Sequence, residues 1–364
     1  MAVGFPAKTN FATGDVLTAT NMNDVTGTLN LVESAQYAAG KNRIINGAMQ
    51  IWQRGTSISL AASASATYTA DRFVTFTNAN QACTITRQAT NDTTNLPSIQ
   101  YALRYQRNSG QTGTALLQLN QMFESTNSIP YAGRTVTFSF YARAGANYSA
   151  ASSTLGVQLI SGTGTDQNYY SGYTGGAFVI NSTATLTTTW QRFTYTAAVA
   201  ATVTELTTAF TFTPTGTAGA NDYFEVTGVQ LEAASTASPF QTASGSIGGE
   251  LALCQRYAFN PLFGETSLFK SVAIGYSTST TSSRIGLTMP VTMRVSPSLT
   301  VTPGDFSIGY SSGANGLLTN LTVETSSPSN TLLTGTTSGL TANVGYTLYR
   351  STAGTTNLVL SAEL

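Results

Sequence analysis

Histidine is absent from this 364-residue chain. That excludes any Ser-His-Asp or Cys-His relay and any imidazole zinc site. Charge is scarce as well, at 9% of residues against about 25% in an average soluble domain. The 16 basic and 16 acidic side chains cancel, only Lys8, Lys41 and Lys270 are lysines, and the arginines form no cluster. Neutralising a phosphate backbone needs a basic stripe, so nucleic acid is not an expected partner. No run approaches the roughly 18 apolar residues of a membrane span. The opening residues 1–15 hold no apolar core ahead of a cleavage site, so neither membrane insertion nor export is expected. No phosphate-cradling glycine loop, nucleophile elbow or paired-cysteine metal motif occurs. The two cysteines, Cys83 and Cys254, read as free buried thiols, and the sequence leaves open whether they meet.

Hydroxyl side chains take the place of charge. There are 63 Thr and 37 Ser, 100 of 364 residues. With 41% hydrophobic residues beside them, the chain has the composition of a folded protein with an uncharged polar surface, not of a disordered tail.

Residues 1–17 read as an extended arm. From Thr18 the apolar residues Met22, Val25, Leu29 and Val32 step by three and four, the spacing of a coiled-coil seam. Two heptads containing Gly27 are too short to hold chains together alone. A short trimer-forming stalk and an ordinary amphipathic helix both fit.

Residues 42 to about 240 read as antiparallel β. Val136, Phe138, Phe140 and Ala142 share one face, with Thr137, Ser139, Tyr141 and Arg143 on the other. Tyr101, Leu103 and Tyr105 alternate likewise, as do Leu155, Val157 and Leu159, and Leu206, Thr208, Phe210 and Phe212. Such alternation marks half-buried strands. In Tyr223–Glu232 the apolar parity flips between Val226 and Val229, which predicts a β-bulge at Gly228. Residues 241–249 read as a small-residue linker, and 250–257 as a helical turn. A second β region follows, with Ile285, Leu287 and Met289, then Val291, Met293 and Val295 on one parity. Late strands are expected at Val344, Tyr346 and Leu348 and at Leu358 and Leu360. Many short strands and little helix give an all-β, sandwich class. The expected divisions are 1–40 (arm and helical stalk), 41–245 (β-sandwich) and 246–364 (a second, C-terminal β-sandwich-like domain).

The stretches Asn42–Gly55 and Ala70–Phe73 resemble the opening of β-sandwich domains in fibre and appendage proteins of tailed-bacteriophage virions. Trp190–Tyr195 and Val229–Phe240 are similar to their closing strands, and Glu250–Tyr257 to the segment that follows. Phe11–Asn23 looks like a fibre arm that docks to the virion. The resemblance spans about 1–257, and the last third departs from it. It implies a jelly roll of the type shared with carbohydrate-binding modules, usually in homotrimers, and leaves the virion part open, since tail fibres, head fibres and neck appendages all use such domains. With the Tyr-rich loop at 161–176, the expectation is a non-enzymatic structural role as a homotrimeric tail fibre in host-surface glycan attachment. The resemblance further implies docking to a tail, baseplate or neck protein through residues 1–40, and a place in the virion after assembly in the host cytoplasm. A head or neck fibre or capsid decoration without receptor role is the alternative. A free carbohydrate-binding protein is a third reading, disfavoured by the stalk-like N-terminus.

Among candidate sites the glycine-flanked loop at 161–176 stands out. Tyr169, Tyr170 and Tyr173, with Asp166, Gln167 and Asn168 beside them, offer aromatic faces and hydrogen-bonding groups of the kind that binding loops favour. Glycan or receptor contact, interchain packing and local packing are all open for them. Trp52 and Trp190 read as packing anchors. Asp71 and Arg72 read either as an ion pair or as a solvated turn. A glycosidase needs two carboxylates at a defined separation. The available ones (Asp71, Asp92, Asp166, Asp222, Glu225) are sparse, so no enzyme activity and no cofactor is expected, a structural calcium at Asp166 or Asp222 being the one metal considered.

Overall fold

The computed structural model describes residues 40–62, 66–77, 81–309, 316–352 and 358–364. The arm and the seam residues Met22, Val25, Leu29 and Val32 lie outside the described residues. Strands are numbered along the chain, and every described pairing is antiparallel.

The first unit is a sandwich of two six-stranded sheets. One contains β1 (Ser57–Leu60), β4 (Cys83–Ala89), β5 (Tyr101–Arg107), β7 (Thr135–Ala144), β10 (Gln191–Ala198) and β12 (Tyr223–Glu232), in the order β1-β4-β5-β12-β7-β10. The other contains β2 (Thr67–Tyr68), β3 (Val74–Thr77), β6 (Leu117–Met122), β8 (Thr154–Gly162), β9 (Ala177–Thr185) and β11 (Glu205–Phe212), in the order β2-β3-β6-β11-β8-β9. The chain passes repeatedly from one sheet to the other, the crossing that makes a jelly roll. Between the sheets lies the core that the alternation predicts: Leu103, Val136, Phe138, Phe140, Leu155, Val157, Leu159, Phe210 and Phe212 are buried together. Phe140 meets Phe210 edge-on at 4.7 Å, a favoured aromatic geometry.

The bulge falls where the parity flips. The register of β12 against β7 shifts between Thr227 and Gln230, and Gly228 sits at φ 57°, where a side chain is strained. Just past it, Val229 N donates to Gly47 O at 3.0 Å and its carbonyl accepts from Asn42 Nδ2 at 3.0 Å. The segment before β1 therefore lies along the outside of β12. Gly47 permits that approach, since a Cβ there would stand 2.2 Å from Val229 O.

The outer face of β7 departs from the expected solvent-facing row. Thr137 and Ser139 are fully buried, because residues after β12 fold back over them. Thr137 Oγ1 donates to Ala234 O at 2.7 Å, and Arg192 reaches Ser139 Oγ and Ser238 O. Trp190 packs with Leu96, Ile99 and Ala102 on this same side, and Trp52 is buried with its indole N–H on Met49 O. Both tryptophans are anchors.

The linker expectation is corrected. Ser246 caps a helix, α1 (Ile247–Gln255), by accepting from Gly249 N, so the helix begins inside the segment read as a tether. Glu250 in its first turn is buried and accepts from Asn46 N, Ser244 N and Ser244 Oγ. Cys254 and Tyr257 pack with Ile45 and Ile51. Capping and a docked face override the small-residue composition.

The second unit pairs a three-stranded sheet, β13 (Ala258–Phe259), β16 (Ser298–Val301) and β21 (Leu358–Ser361), with a six-stranded one. The latter holds β14 (Ser271–Ser277), β15 (Ser282–Thr288), β17 (Phe306–Gly309), β18 (Asn320–Ser326), β19 (Asn330–Thr336) and β20 (Gly345–Arg350), in the order β17-β20-β14-β15-β19-β18. Its core joins Ile285, Leu287, Met289, Tyr346, Leu348, Leu358 and Leu360. The strand expected at 291–295 does not form. Pro290 lacks an N–H for the ladder, and Val295 is exposed while Met293 turns inward. Among the described residues no helix is long and apolar enough to cross a membrane.

Candidate functional site

The loop between β8 and β9 holds the tyrosines singled out in the sequence. A short turn, Tyr169–Ser171, is capped by Asn168, whose Oδ1 accepts from Tyr170 N at 2.9 Å. The loop folds back over the outer face of the second sheet. Tyr169 N donates to Met122 Sδ at 3.2 Å, the Tyr170 ring stacks on Phe76 at 5.1 Å, and the Tyr173 hydroxyl meets Thr207 Oγ1. Tyr169 lies 5.7 Å from both Tyr170 and Tyr173, ring to ring. All three are half-buried. Burial pushes their hydroxyls above the ordinary tyrosine value, so they remain protonated donors.

The polar residues beside them hold the loop in shape. Asp166 Oδ1 accepts from Ser125 N at 2.7 Å, and Asp166 N donates to Ser125 Oγ at 2.8 Å. Asn168 Nδ2 donates to Leu364 O at 2.9 Å. The structure thus brings Asp166, Asn168, Tyr169, Tyr170 and Tyr173 into one patch. Tyr170 and Tyr173 are committed to packing within the chain, and Tyr169 contributes the ring beside both.

Sequence reasoning missed what lies beneath. On β6, Gln118, Asn120 and Met122 share one face; the Tyr169 hydroxyl bonds Gln118 and its amide bonds Met122. Asn120 therefore sits under the flap, fully buried, with neither its Oδ1 nor its Nδ2 hydrogen-bonded. The Tyr170 hydroxyl is likewise buried without a partner. An enclosed polar group left unpaired costs about 1–3 kcal/mol. The only sequence signal for Asn120 was a polar residue among the apolar ones of a strand, which on its own reads as an outward position.

The carboxylates considered for catalysis serve separate structural tasks. Asp222 pairs with Arg107 at 2.6 Å, neither side chain exposed, and accepts from Ser149 N and Oγ. Glu225 is enclosed between Arg104 (2.7 Å) and Arg143 (2.5 Å), its direct neighbours on β5 and β7. Arg104 covers the Tyr223 ring at 3.9 Å and Arg143 the Trp190 ring at 4.9 Å. Asp92 is half-buried and closes a turn on Thr94 and Asn95. Asp71 and Arg72 are buried but do not pair with each other: Asp71 accepts from Gln53 N at 2.9 Å, and Arg72 pairs with Glu363. Among the described residues no group of three or more His, Cys, Asp or Glu is placed to hold a metal ion. Both cysteines are free and buried, and burial pushes the Cys83 thiol up to about 12.

No family model matches the chain, and no curated protein matches it either. Solved structures do. A family 4 carbohydrate-binding module aligns at 15% identity and TM-score 0.29, covering 51% of this chain and 97% of the module. The family 22 carbohydrate-binding module at the C-terminus of Clostridium thermocellum Xyn10B aligns at 11% identity and TM-score 0.32, covering 55% of this chain and 99% of the module. The enzymatically active domain of bacteriophage CBA120 tailspike protein 4 aligns at 12% identity and TM-score 0.32, covering 53% of this chain but 21% of that one.

Proposed function

We propose that this chain is a non-enzymatic structural protein of a tailed-phage virion, a homotrimeric tail fibre that contacts a host-surface glycan through its tyrosine loop. The observation that carries the glycan reading is the half-buried aromatic flap of Tyr169, Tyr170 and Tyr173, with Tyr169 5.7 Å from each of the other two rings. Rings for stacking and uncharged hydrogen-bonding groups are the chemistry that recognises a polyhydroxylated ligand. The virion assignment draws on the fibre-like sequence stretches, and the carboxylates already spent on arginines and backbone amides favour a binding role over catalysis.

A glycan array probed with the wild-type chain and Tyr169→Ala tests the reading. Loss of the wild-type spots in the variant is expected. Unchanged spots overturn the glycan site. Native mass spectrometry at three times the 38.0 kDa chain checks the trimer, and cryo-EM of intact particles checks the place in the virion.

A further inference from the structure

In the six-stranded sheet of the second unit, Ile285, Leu333 and Leu348 point into the core. The positions of opposite parity form the outer face. One row across it reads Thr347, Ile274, Gly286, Leu332 and Thr325, each paired with the next. The row beside it reads Gly345, Tyr276, Arg284, Thr334 and Thr322.

Threonine and glycine occupy the flanks, and the apolar side chains stand near the centre. Ile274 is 74% exposed, more than any other large apolar side chain among the described residues, and Tyr276 is 46% exposed. Between Ile274 and Leu332 the surface dips to Gly286, where a Cβ would meet nothing within 4 Å. The result is a groove of about 450 Å³, walled by Ile274 and Leu332 and continued by Thr288, Thr325 and Asn330. The first unit differs. There the tyrosine loop lies over the outer face of one sheet, and the segment after β12 lies over the other.

Charge within these rows is already spent. Arg284 Nε donates to Glu324 Oε2 at 2.9 Å, and Thr334 Oγ1 donates to the same oxygen at 2.9 Å. A partner chosen by charge finds nothing unpaired here, whereas two like faces meet without repulsion.

We propose that copies of this chain meet at this face, with Ile274 of one chain seated on Gly286 of the next, against Leu332. The inference rests on the homotrimer reading above and names the surface that closes it. Knob and groove lie on the same face, so the surface carries its own complement. A head-to-tail contact of that kind closes into a ring when the rotation is threefold. The extent is adequate as well. Six strands about 4.8 Å apart and about 23 Å long give about 550 Å² in projection, and more once side chains stand on it. That approaches the roughly 800 Å² each partner contributes to a standard interface.

Sedimentation equilibrium and native mass spectrometry of the full chain test it, with the wild type expected at three times 38.0 kDa. Ile274→Lys removes the knob and sets like charges on the meeting copies. Gly286→Leu fills the groove, at a position with room for a side chain. Both positions face solvent, so the far-ultraviolet circular dichroism of the folded chain should be retained. Each variant should raise the concentration at which the trimer dissociates at least tenfold. Ile247→Lys, at an apolar position 62% exposed on α1, should leave the trimer as it is. A trimer that both face variants retain at wild-type concentrations overturns this inference and leaves the homotrimer reading standing. Dissociation by Ile247→Lys to the same extent overturns it too. A wild-type chain that stays monomeric removes the homotrimer reading, and this inference with it.

Discussion

Arg107 and Asp222 face each other at 2.6 Å with neither side chain exposed to solvent. Arg107, the last residue of β5, also donates to Gln81 Oε1, Ser149 Oγ and the carbonyls of Gln111, Gly113 and Gly216. One guanidinium therefore gathers the loops at one end of the jelly roll. Replacing both partners of a buried pair by apolar residues of the same shape is often neutral, but removing one partner leaves a buried charge, which costs about 3–5 kcal/mol. Asp222→Ala should lower unfolding stability by about that much, read from guanidinium melts by fluorescence of the buried Trp52 and Trp190. A shift under about 1 kcal/mol would show that the arginine finds full compensation in its carbonyls.

Gly228 offers a test of the bulge. A Cβ there would stand 2.7 Å from the Tyr141 ring and 2.8 Å from Ile99 Cδ1, on a backbone at φ 57°. Left-handed strain of about 1–2 kcal/mol adds to overpacking of about 1–3 kcal/mol. Gly228→Val should destabilise by about 2–5 kcal/mol, with loss of amide protection at Val229 in hydrogen exchange. Val226→Ala, in the regular part of the same strand, should leave the Val229 amide protected.

The strands whose rows alternate were legible because period-two patterning is a local property of the chain. β5, β7, β8 and β11 carry the predicted faces into the core, and the bulge was legible for the same reason. What the sequence hid was long-range. Asp71 and Arg72 are neighbours in sequence, yet Arg72 finds its partner 291 residues away, at Glu363. Thr137 and Ser139 alternate outward and are buried only because a later segment covers them. Arg104, Glu225 and Arg143 become one row only once β5, β12 and β7 are known to be adjacent. The Tyr-rich loop was visible as composition, but not the face it covers.

The seam between the units is held by the segment after β21. Glu363 pairs with Arg72 and Arg54, and Arg294 donates to the carbonyls of Ala362 and Glu363 at 2.8 and 2.6 Å. Arg72 additionally lies 3.6 Å over the Tyr257 ring. Glu363→Ala leaves Arg72 buried without its carboxylate, at a cost of about 3–5 kcal/mol. Calorimetry is expected to show one transition for the wild type and two for the variant, since the units lose their coupling. A single transition merely shifted downward would place the coupling elsewhere, in the Gln53 bonds to Ala258 and Asn260.

Acid stability should run in two limbs of opposite sign. Burial raises the carboxyl groups of Asp71 and Glu250 above their ordinary values of 3.8 and 4.5, and the donors around them offset this only in part. Burial also pushes Glu124 and Glu232 upward, but Arg256 and Tyr257 on the first, and Ser238 and Lys41 on the second, outweigh it and hold both below 4.5. A carboxyl raised in the folded state takes its proton before the unfolded chain does, so stability climbs as pH falls through the window above its ordinary value. A lowered one stabilises in full above 4.5, and that contribution is lost as pH falls further. The melting temperature should therefore rise from pH 7 to about 5 and fall below about 4.5. The chain has no histidine, so no imidazole obscures the upper limb. Asp71→Asn with Glu250→Gln should flatten that limb and leave the lower one, as followed by calorimetry in half-unit pH steps. A rise that survives both substitutions would assign it to other groups.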